Sequence, residues 1–270
     1  MMWIGGGQGA GKSTLSWRLS RAHDLPLHRI DLWAYDHQSR MPAGDTLDEQ
    51  LARGPEAAAD AFESDSRLRL KLALDDITAR DLGKVPALVE GPQLLPGFAA
   101  QSPPGWCVWL LPDPARTRVT REERLASEET LAGRPAAGRA RAALILQRDA
   151  ILTSRIRDQA VAAGRPVVEV PPSPDWQAIA AATETALVPA LRSAPRLAPG
   201  TELSRQRRYE NKAAARQGRL WMQDAGLAVL PAYPFGCECG QSRCRATWLA
   251  TPEEYAARTA SGHRLITHGT

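Results

Sequence analysis

The chain has 270 residues, 43% of them hydrophobic and 24% charged, the balance of an ordinary soluble domain with room for one core and a small appendage. Its net charge of +4 and pI near 9.1 are too mild to argue for nucleic acid by themselves. No apolar run approaches membrane-spanning length, and no leader pattern precedes the first apolar segment, so a cytoplasmic protein without a membrane partner is expected.

Met2-Trp3-Ile4 reads as a short buried first strand. Gly6-Gly7-Gln8-Gly9-Ala10-Gly11-Lys12-Ser13 then matches the phosphate-binding pattern G-x-x-x-x-G-K-[ST] at every fixed position, and Thr14 follows. Residues 13–22 have helical spacing, with Leu15 and Leu19 on one face. Strand, glycine loop and helix are the parts this chemistry needs. Glycines let N–H groups turn inward around a phosphate, and the helix start adds partial positive charge. Lys12 supplies a cation for the outer phosphates and Ser13 a hydroxyl for Mg²⁺.

Residues 27–32 read as a second strand with Asp31 near its carboxyl end, and 41–54, rich in Gly, Pro and Asp, as a mobile connection. A helix is expected over 55–80, a third strand over 85–90 ending in Glu90, and a fourth over 106–111. An arginine-studded helix over 115–131 leads through a loop at 133–138 to a long helix ending near 163. A fifth strand at 166–170 and a closing helix over 175–191, capped by Asp175, complete the alternation. Such alternation predicts an α/β fold, a parallel sheet of about five strands flanked by helices, with ligands beyond the carboxyl strand ends. The glycine loop, Asp31 and Glu90 all fall on that rim.

Asp31 could accept a proton from a substrate hydroxyl or orient it for in-line attack; the competing role is a solvated strand-end acid or helix cap. Asp36 is a backup. Glu90, directly after Ala87-Leu88-Val89, could support Mg²⁺ or a substrate hydroxyl, since a carboxylate there is costly without a surface cap or a task. Arg116, Arg118, Arg121 and Arg124, with Arg134, Arg139, Arg141 and Arg148, form a group from which one or two are expected to neutralise transition-state charge. Arg121 and Arg124 are favoured, being central on their helix; the alternative is a solvated face balanced by Glu122, Glu123, Glu128 and Glu129.

Residues 193–200 have linker composition, dividing 1–192 from a basic helix at 201–225 and a cysteine-bearing module at 231–270. Of the four cysteines, Cys107 sits in an apolar run and reads as a small hydrophobe, while Cys237, Cys239 and Cys244 cluster as a knuckle for zinc. His268 is the favoured fourth ligand and His263 the alternative; unrelated thiols or a redox pair compete with the metal. A structural site suits a module too small to fold on its own core. The basic helix could grip an acidic partner or nucleic acid, or pack on its own domain through Leu220, Trp221 and Met222.

On Gly6–Thr14, on Asp31 in Arg29-Ile30-Asp31-Leu32 and on Glu90 in Leu88-Val89-Glu90-Gly91-Pro92, residues 1–192 resemble the P-loop kinases of small molecules and nucleosides. The same positions recur in chloramphenicol-phosphotransferase-like and uridine-kinase-like members. The resemblance implies a P-loop NTPase fold, ATP and Mg²⁺ over Gly6–Thr14, and an arginine-bearing lid. An obvious nucleobase-recognition motif is lacking. Residues 202–270 resemble a tail on uncharacterised actinobacterial proteins, through Arg208-Tyr209-Glu210-Asn211, Gln217–Trp221, Phe235–Gly240, Cys244 and Glu254-Tyr255. In those relatives a Gly-His pair follows near the end, whereas here Gly269 is followed by Thr270 and His268 comes just before the Gly. The expected function is ATP-dependent phosphorylation of a small-molecule hydroxyl. The alternatives are a P-loop ATPase switch that binds nucleic acid or a protein through the tail, and a binding protein that keeps the nucleotide as a structural ligand.

Overall fold

A computed structural model describes residues 1–132, 139–227 and 230–268, with the side chains of 128–132 and 139 outside the described set. The 133–138 loop with Arg134, the side chains of Arg139, Glu128 and Glu129, and Gly269 with Thr270 therefore lie outside the described residues. In chain order the elements are β1 (Met2–Gly6), α1 (Lys12–His23), β2 (Leu27–Arg29), a 3-10 turn (Ile30–Trp33), α2 (Ala34–Arg40), α3 (Leu47–Ala52) and α4 (Pro55–Thr78). Next come β3 (Leu88–Glu90), a 3-10 turn (Pro96–Ala99), β4 (Cys107–Pro112), α5 (Pro114–Ala132), α6 (Arg139–Ala162), β5 (Val167–Val170) and α7 (Trp176–Ser193). The C-terminal region supplies α8 (Thr201–Ala225), β6 (Tyr233–Gly236), β7 (Thr247–Ala250), α9 (Pro252–Arg258) and a last 3-10 turn. Among the described residues, no helix is long and apolar enough to cross a membrane.

The sheet has five parallel strands in the order β2-β3-β1-β4-β5, flanked by helices, as the alternation of elements predicts. Side chains alternate between its faces, and the sequence is apolar on both. Met2, Ile4, Val108 and Leu110 pack with Leu15 and Leu19 of α1 and Ile179 and Leu187 of α7. Trp3, Val89, Trp109 and Leu111 pack on the other face with Leu70 and Ile77 of α4 and Ile156 of α6. Each such large side chain contributes about 1.5–3 kcal/mol by leaving water. Cys107 is fully buried in the second cluster, the small hydrophobe its context suggests.

Two local departures from the sequence expectations matter. The second strand stops at Arg29, and Asp31 lies in the 3-10 turn beyond it rather than on the strand. The turn buries Ile30 completely, turns Asp31 to solvent and hands Leu32 to a third apolar cluster in the C-terminal region. The stretch expected as a mobile connection contains α3, started by a capping box in which Thr46 and Glu49 satisfy each other's backbone N–H groups. A second capping box, Thr251 with Glu254, starts α9, which comes directly after the antiparallel hairpin β6–β7.

The C-terminal region packs on the sheet domain. Leu197 is buried and its N–H donates to Asp24 O at 3.0 Å, while the Gly200 N–H donates to Gly240 O at 2.8 Å. Arg21 of α1 pairs with Glu210 of α8 at 2.8 Å, both nearly buried.

Candidate functional site

The register sets Ile4, Glu90 and Arg29 abreast at the carboxyl edge of β1, β3 and β2. Beyond that edge the glycine loop wraps the start of α1. Gly6 and Gly11 have φ of 122° and 77°, where a side chain would be strained; a Cβ on Gly11 would also lie 2.5 Å from the Trp176 ring. No side chain caps α1, so its first N–H groups are open to an anionic ligand.

A cavity of about 630 Å³ opens here, lined by Gln8 through Leu15, by Asp31, Glu90 and Arg124, and by Arg18, Arg116, Thr120 and Trp176. Segments far apart in the sequence thus share one wall. Lys12 is buried, 6% exposed, with Nζ donating to Gly7 O at 2.8 Å. Burial lowers its pKa, opposed by the negative charges of Glu90 and Asp31. Ser13 Oγ donates to Glu90 Oε1 at 3.3 Å.

Glu90 is 1% exposed. Its Oε2 lies 3.5 Å from Arg29 Nε and has no hydrogen-bond partner among the described residues. Burial pushes its pKa up, against the pull of Arg29 and Lys12. A buried carboxylate with an unmatched oxygen beside a serine hydroxyl is a donor set suited to a hard cation and its waters. Asp31 accepts from Gln93 Nε2 at 3.0 Å. Gln93 is itself buried, and its Oε1 has no partner among the described residues.

The two favoured arginines separate. Arg124 lines the cavity, its Nη1 donating to Gln8 Oε1 at 3.4 Å. Arg121 is turned to buried Asp149, at 2.6 Å, which also holds Arg148 at 2.9 Å, and it does not line the cavity. Arg116, nearer the start of the same helix, instead takes a place on the wall, its guanidinium 5.7 Å from the centre of the Trp176 ring. Arg118 lines a different cavity of about 710 Å³ between α5, α6 and the end of β5, which contains none of Lys12, Asp31 and Glu90. Arg141 pairs with Asp48 at 2.5 Å, and Asp36 with Arg216 at 2.6 Å.

At the other end of α1 lies a second candidate centre. The ligand atoms of Cys237, Cys239, Cys244 and His268 all lie within 4.8 Å of one another and could hold a metal such as zinc. His268 Nε2 is 3.2 Å from Cys244 Sγ and 3.1 Å from Cys239 Sγ. His263 is exposed, bonds Ala260 O through Nδ1 at 3.0 Å, and is not in the group. N–H donors surround the sulfurs: Thr267 N to Cys237 at 3.5 Å, Gln241 N to Cys239 at 3.4 Å, and fully buried Arg207 to Cys239 at 3.6 Å. Such donors orient thiolates and offset their charge when a metal is bound. The knuckle loop also docks on Asp24 at the end of α1, which accepts from Ser242 Oγ and from Arg243 N at 2.9 Å.

Sequence reasoning missed Gln93, Arg29 and Trp176. Trp176 carried a readable sign, since it comes directly after the Asp175 cap at the carboxyl edge, where Asp175 accepts from Gln177 N and Ala178 N. No protein-family model matches the chain, and no curated protein sequence matches it either.

Proposed function

We propose that the chain is a cytoplasmic ATP-dependent phosphotransferase of P-loop type that acts on a hydroxyl of a small molecule, with a structural zinc in its C-terminal region. The observation that carries this reading is the convergence of Lys12, Ser13, Glu90, Asp31 and Arg124 on one cavity at the carboxyl edge of a parallel sheet. Gly6 to Thr14 would hold the phosphates. Ser13 would ligate Mg²⁺, with Glu90 supporting it through water. When bound, Mg²⁺ offsets charge on the phosphates. Lys12 would leave the Gly7 carbonyl for the outer phosphates, a short move that exchanges a neutral acceptor for an anionic one. Asp31, held by Gln93, would orient the acceptor hydroxyl and take its proton.

Trp176 and Arg116 offer flat faces for the base, by stacking and cation–π contact. Arg124 would meet developing charge on the transferred group. Arg121, committed to Asp149, would brace the arginine helix rather than touch substrate. In the tail, Arg207 and Arg216 are engaged by the knuckle and by Asp36, and Arg208 donates to Gly262 O at 3.0 Å. These bonds favour a holding role for α8 over nucleic-acid binding.

A screen of hydroxyl-bearing metabolites, nucleosides and antibiotics with Mg²⁺–ATP, read as acceptor-dependent ADP release, tests the reading. The expected result is a phosphorylated acceptor with wild type and none with Lys12→Ala. Absence of Mg²⁺–ADP and Mg²⁺–ATP binding by calorimetry would overturn it; tight binding with no acceptor in any class would favour a nucleotide-binding protein.

A further inference from the structure

The segment that carries Asp31 is held from two sides: the sheet domain buries Ile30, bonds Asp31 through Gln93 and Ala34 O through Arg69 at 2.9 Å, and the C-terminal region holds the outward side chains. Trp33 stacks on Tyr209 of α8 with ring centres 5.3 Å apart, and on His28 at 6.0 Å. The Tyr35 N–H donates to Gln217 Oε1 at 3.5 Å, and the Tyr35 hydroxyl to Asp224 at 2.8 Å. Asp36 pairs with Arg216 at 2.6 Å. Leu32 packs against the apolar cluster of Phe235, Tyr255 and Leu265. Before Asp31, Arg29 donates to the Tyr233 hydroxyl of β6 while its Nε faces Glu90 at 3.5 Å. Residues on both sides of Asp31 therefore engage the C-terminal region, and one of them leads on to Glu90.

The same region is fastened at two further places. Its cysteine knuckle docks on Asp24 at the carboxyl end of α1, the helix whose first residues are Lys12 and Ser13. Glu210 of α8 holds Arg21 on the same helix. The bonds of α8 described above fall on the acceptor side of the cavity and on the far end of α1, and they leave the phosphate side to β1 and the start of α1.

We propose that the C-terminal region is a positioning element for the acceptor half of the site: α8 and β6 fix the 30–36 turn that presents Asp31, and the Tyr233–Arg29 pair fixes Glu90. This rests on the phosphotransferase reading for its chemical meaning, while the holding of the turn is a separate physical claim. An isolated 3-10 turn and a seven-residue α2 have little stability of their own, because a short helix forms few hydrogen bonds for the chain entropy it costs. The basic helix and the metal knuckle, which the glycine-loop chemistry does not itself require, acquire a task in this arrangement.

The test uses full-length protein and the variant Arg216→Ala/Gln217→Ala, whose side chains are exposed and half-buried and bond Asp36 and Tyr35 of the turn rather than Glu90. Arg216→Ala alone, at an exposed position, serves as the milder second variant. Three quantities are read: amide hydrogen exchange over 30–36, Mg²⁺–ADP affinity by calorimetry, and Mg²⁺–ATP hydrolysis with water as acceptor. Exchange over 30–36 is expected to rise on the order of tenfold, from the loss of hydrogen bonds that each contribute severalfold. Mg²⁺–ADP affinity and the protection of residues 6–14 by Mg²⁺–ADP are expected to stay the same. Hydrolysis falls in the wild-type background and does not fall further on top of Asp31→Asn, because both changes act through one group.

Unchanged exchange over 30–36 would overturn the proposal, as would losses that multiply in the Asp31→Asn background. If wild type binds no Mg²⁺–ADP, the phosphotransferase reading fails, and the exchange measurement alone decides whether the C-terminal region holds the turn.

Discussion

Glu90 and Glu238 are both buried carboxylates next to short strands, and their surroundings could hardly differ more. Glu238, fully buried after Cys237, accepts from Asn211 Nδ2 at 2.9 Å, from the Tyr255 hydroxyl at 2.8 Å and from Leu265 N at 3.1 Å. Asn211 in turn exchanges bonds with both backbone groups of Gly236. Glu90 has one long bond from Ser13 and an oxygen with no partner among the described residues. Desolvating a carboxylate costs several kcal/mol, roughly, unless hydrogen bonds or charges offset it. In the C-terminal region every oxygen of the acid is matched inside the chain, the signature of a structural joint. At the sheet edge the match is incomplete, and Lys12, Arg116 and Thr120 share that condition of desolvated or unmatched polar atoms around one cavity, as does Gln93, which bonds Asp31. Unmatched groups are what a ligand would complete.

The largest expected effect lies on the unmatched side. Lys12→Ala should reduce phosphoryl transfer from Mg²⁺–ATP below detection while leaving the urea midpoint unchanged or higher, because the ammonium is desolvated for a task other than folding. Asp31→Asn should keep Mg²⁺–ADP binding and lose about 10²–10⁴ in rate, the usual contribution of a general base. A Lys12→Ala protein that transfers phosphate at the wild-type rate, or one that unfolds, would break the contrast at its strongest point.

Metal removal probes the matched side. Purified protein should carry about one zinc per chain at Cys237, Cys239, Cys244 and His268, since thiolates and imidazole together select zinc. Chelation should raise amide exchange over 231–268 first and over 30–36 next, with residues 6–14 last. That order reflects the contacts of the knuckle and α8, which reach Asp24 and the Asp31 turn, whereas the glycine loop is held by β1 and α1. Elemental analysis without metal, together with three freely titratable thiols in native protein, would remove the centre.

The two sides also differ in how well the sequence discloses them. Gly6 to Ser13 are legible because adjacent residues make the loop and Gly6, Gly9 and Gly11 each answer a local backbone demand for positive φ. The five-stranded alternation is legible because apolar runs and helical spacing are local too. Gln93 is not, since its bond to Asp31 depends on how the chain turns after Gly91-Pro92. Arg121 and Arg124 look equivalent on a helix; only the buried Asp149, 28 residues from Arg121, separates them. The cysteine spacing discloses the knuckle, but Asn211, Glu238, Tyr255 and Leu265 meet only after the hairpin and α9 have folded. The bonds from α8 to Tyr35 and Asp36 span some 180 residues, and no pattern in either segment announces them.

The carboxylates themselves give a smaller and sharper comparison. Glu238→Gln keeps the shape but gives one amide nitrogen where an acceptor is needed, facing the Asn211, Tyr255 or Leu265 donors. It should cost about 1–3 kcal/mol of stability, the penalty for a buried donor left without an acceptor. Glu90→Gln should cost little or raise stability, since it removes a carboxylate that burial already disfavours. It should instead weaken Mg²⁺-dependent nucleotide binding. Urea unfolding of the two variants side by side measures the difference, and equal losses would mean that Glu90 is as structural as Glu238.

His28 lies on the seam between the two regions and gives the smallest effect. It is 1% exposed, with Nδ1 3.4 Å from the Tyr209 hydroxyl and Nε2 without a partner among the described residues. Burial, aided by the positive charge of Arg80, lowers its pKa from 6.5 to about 3. The folded protein thus keeps the ring neutral where the unfolded chain would protonate it. Stability from this group is complete above about pH 6.5 and is lost as pH falls toward about 3, because the unfolded state binds the extra proton. Each pH unit in that window removes up to about 1.4 kcal/mol, or about 2 kcal/mol by pH 5. The loss should be read as the difference between wild type and His28→Asn across pH 7 to 5, which subtracts the other titrating groups. Parallel pH curves would show that the ring is solvated and that α8 does not seal the Asp31 turn against the sheet.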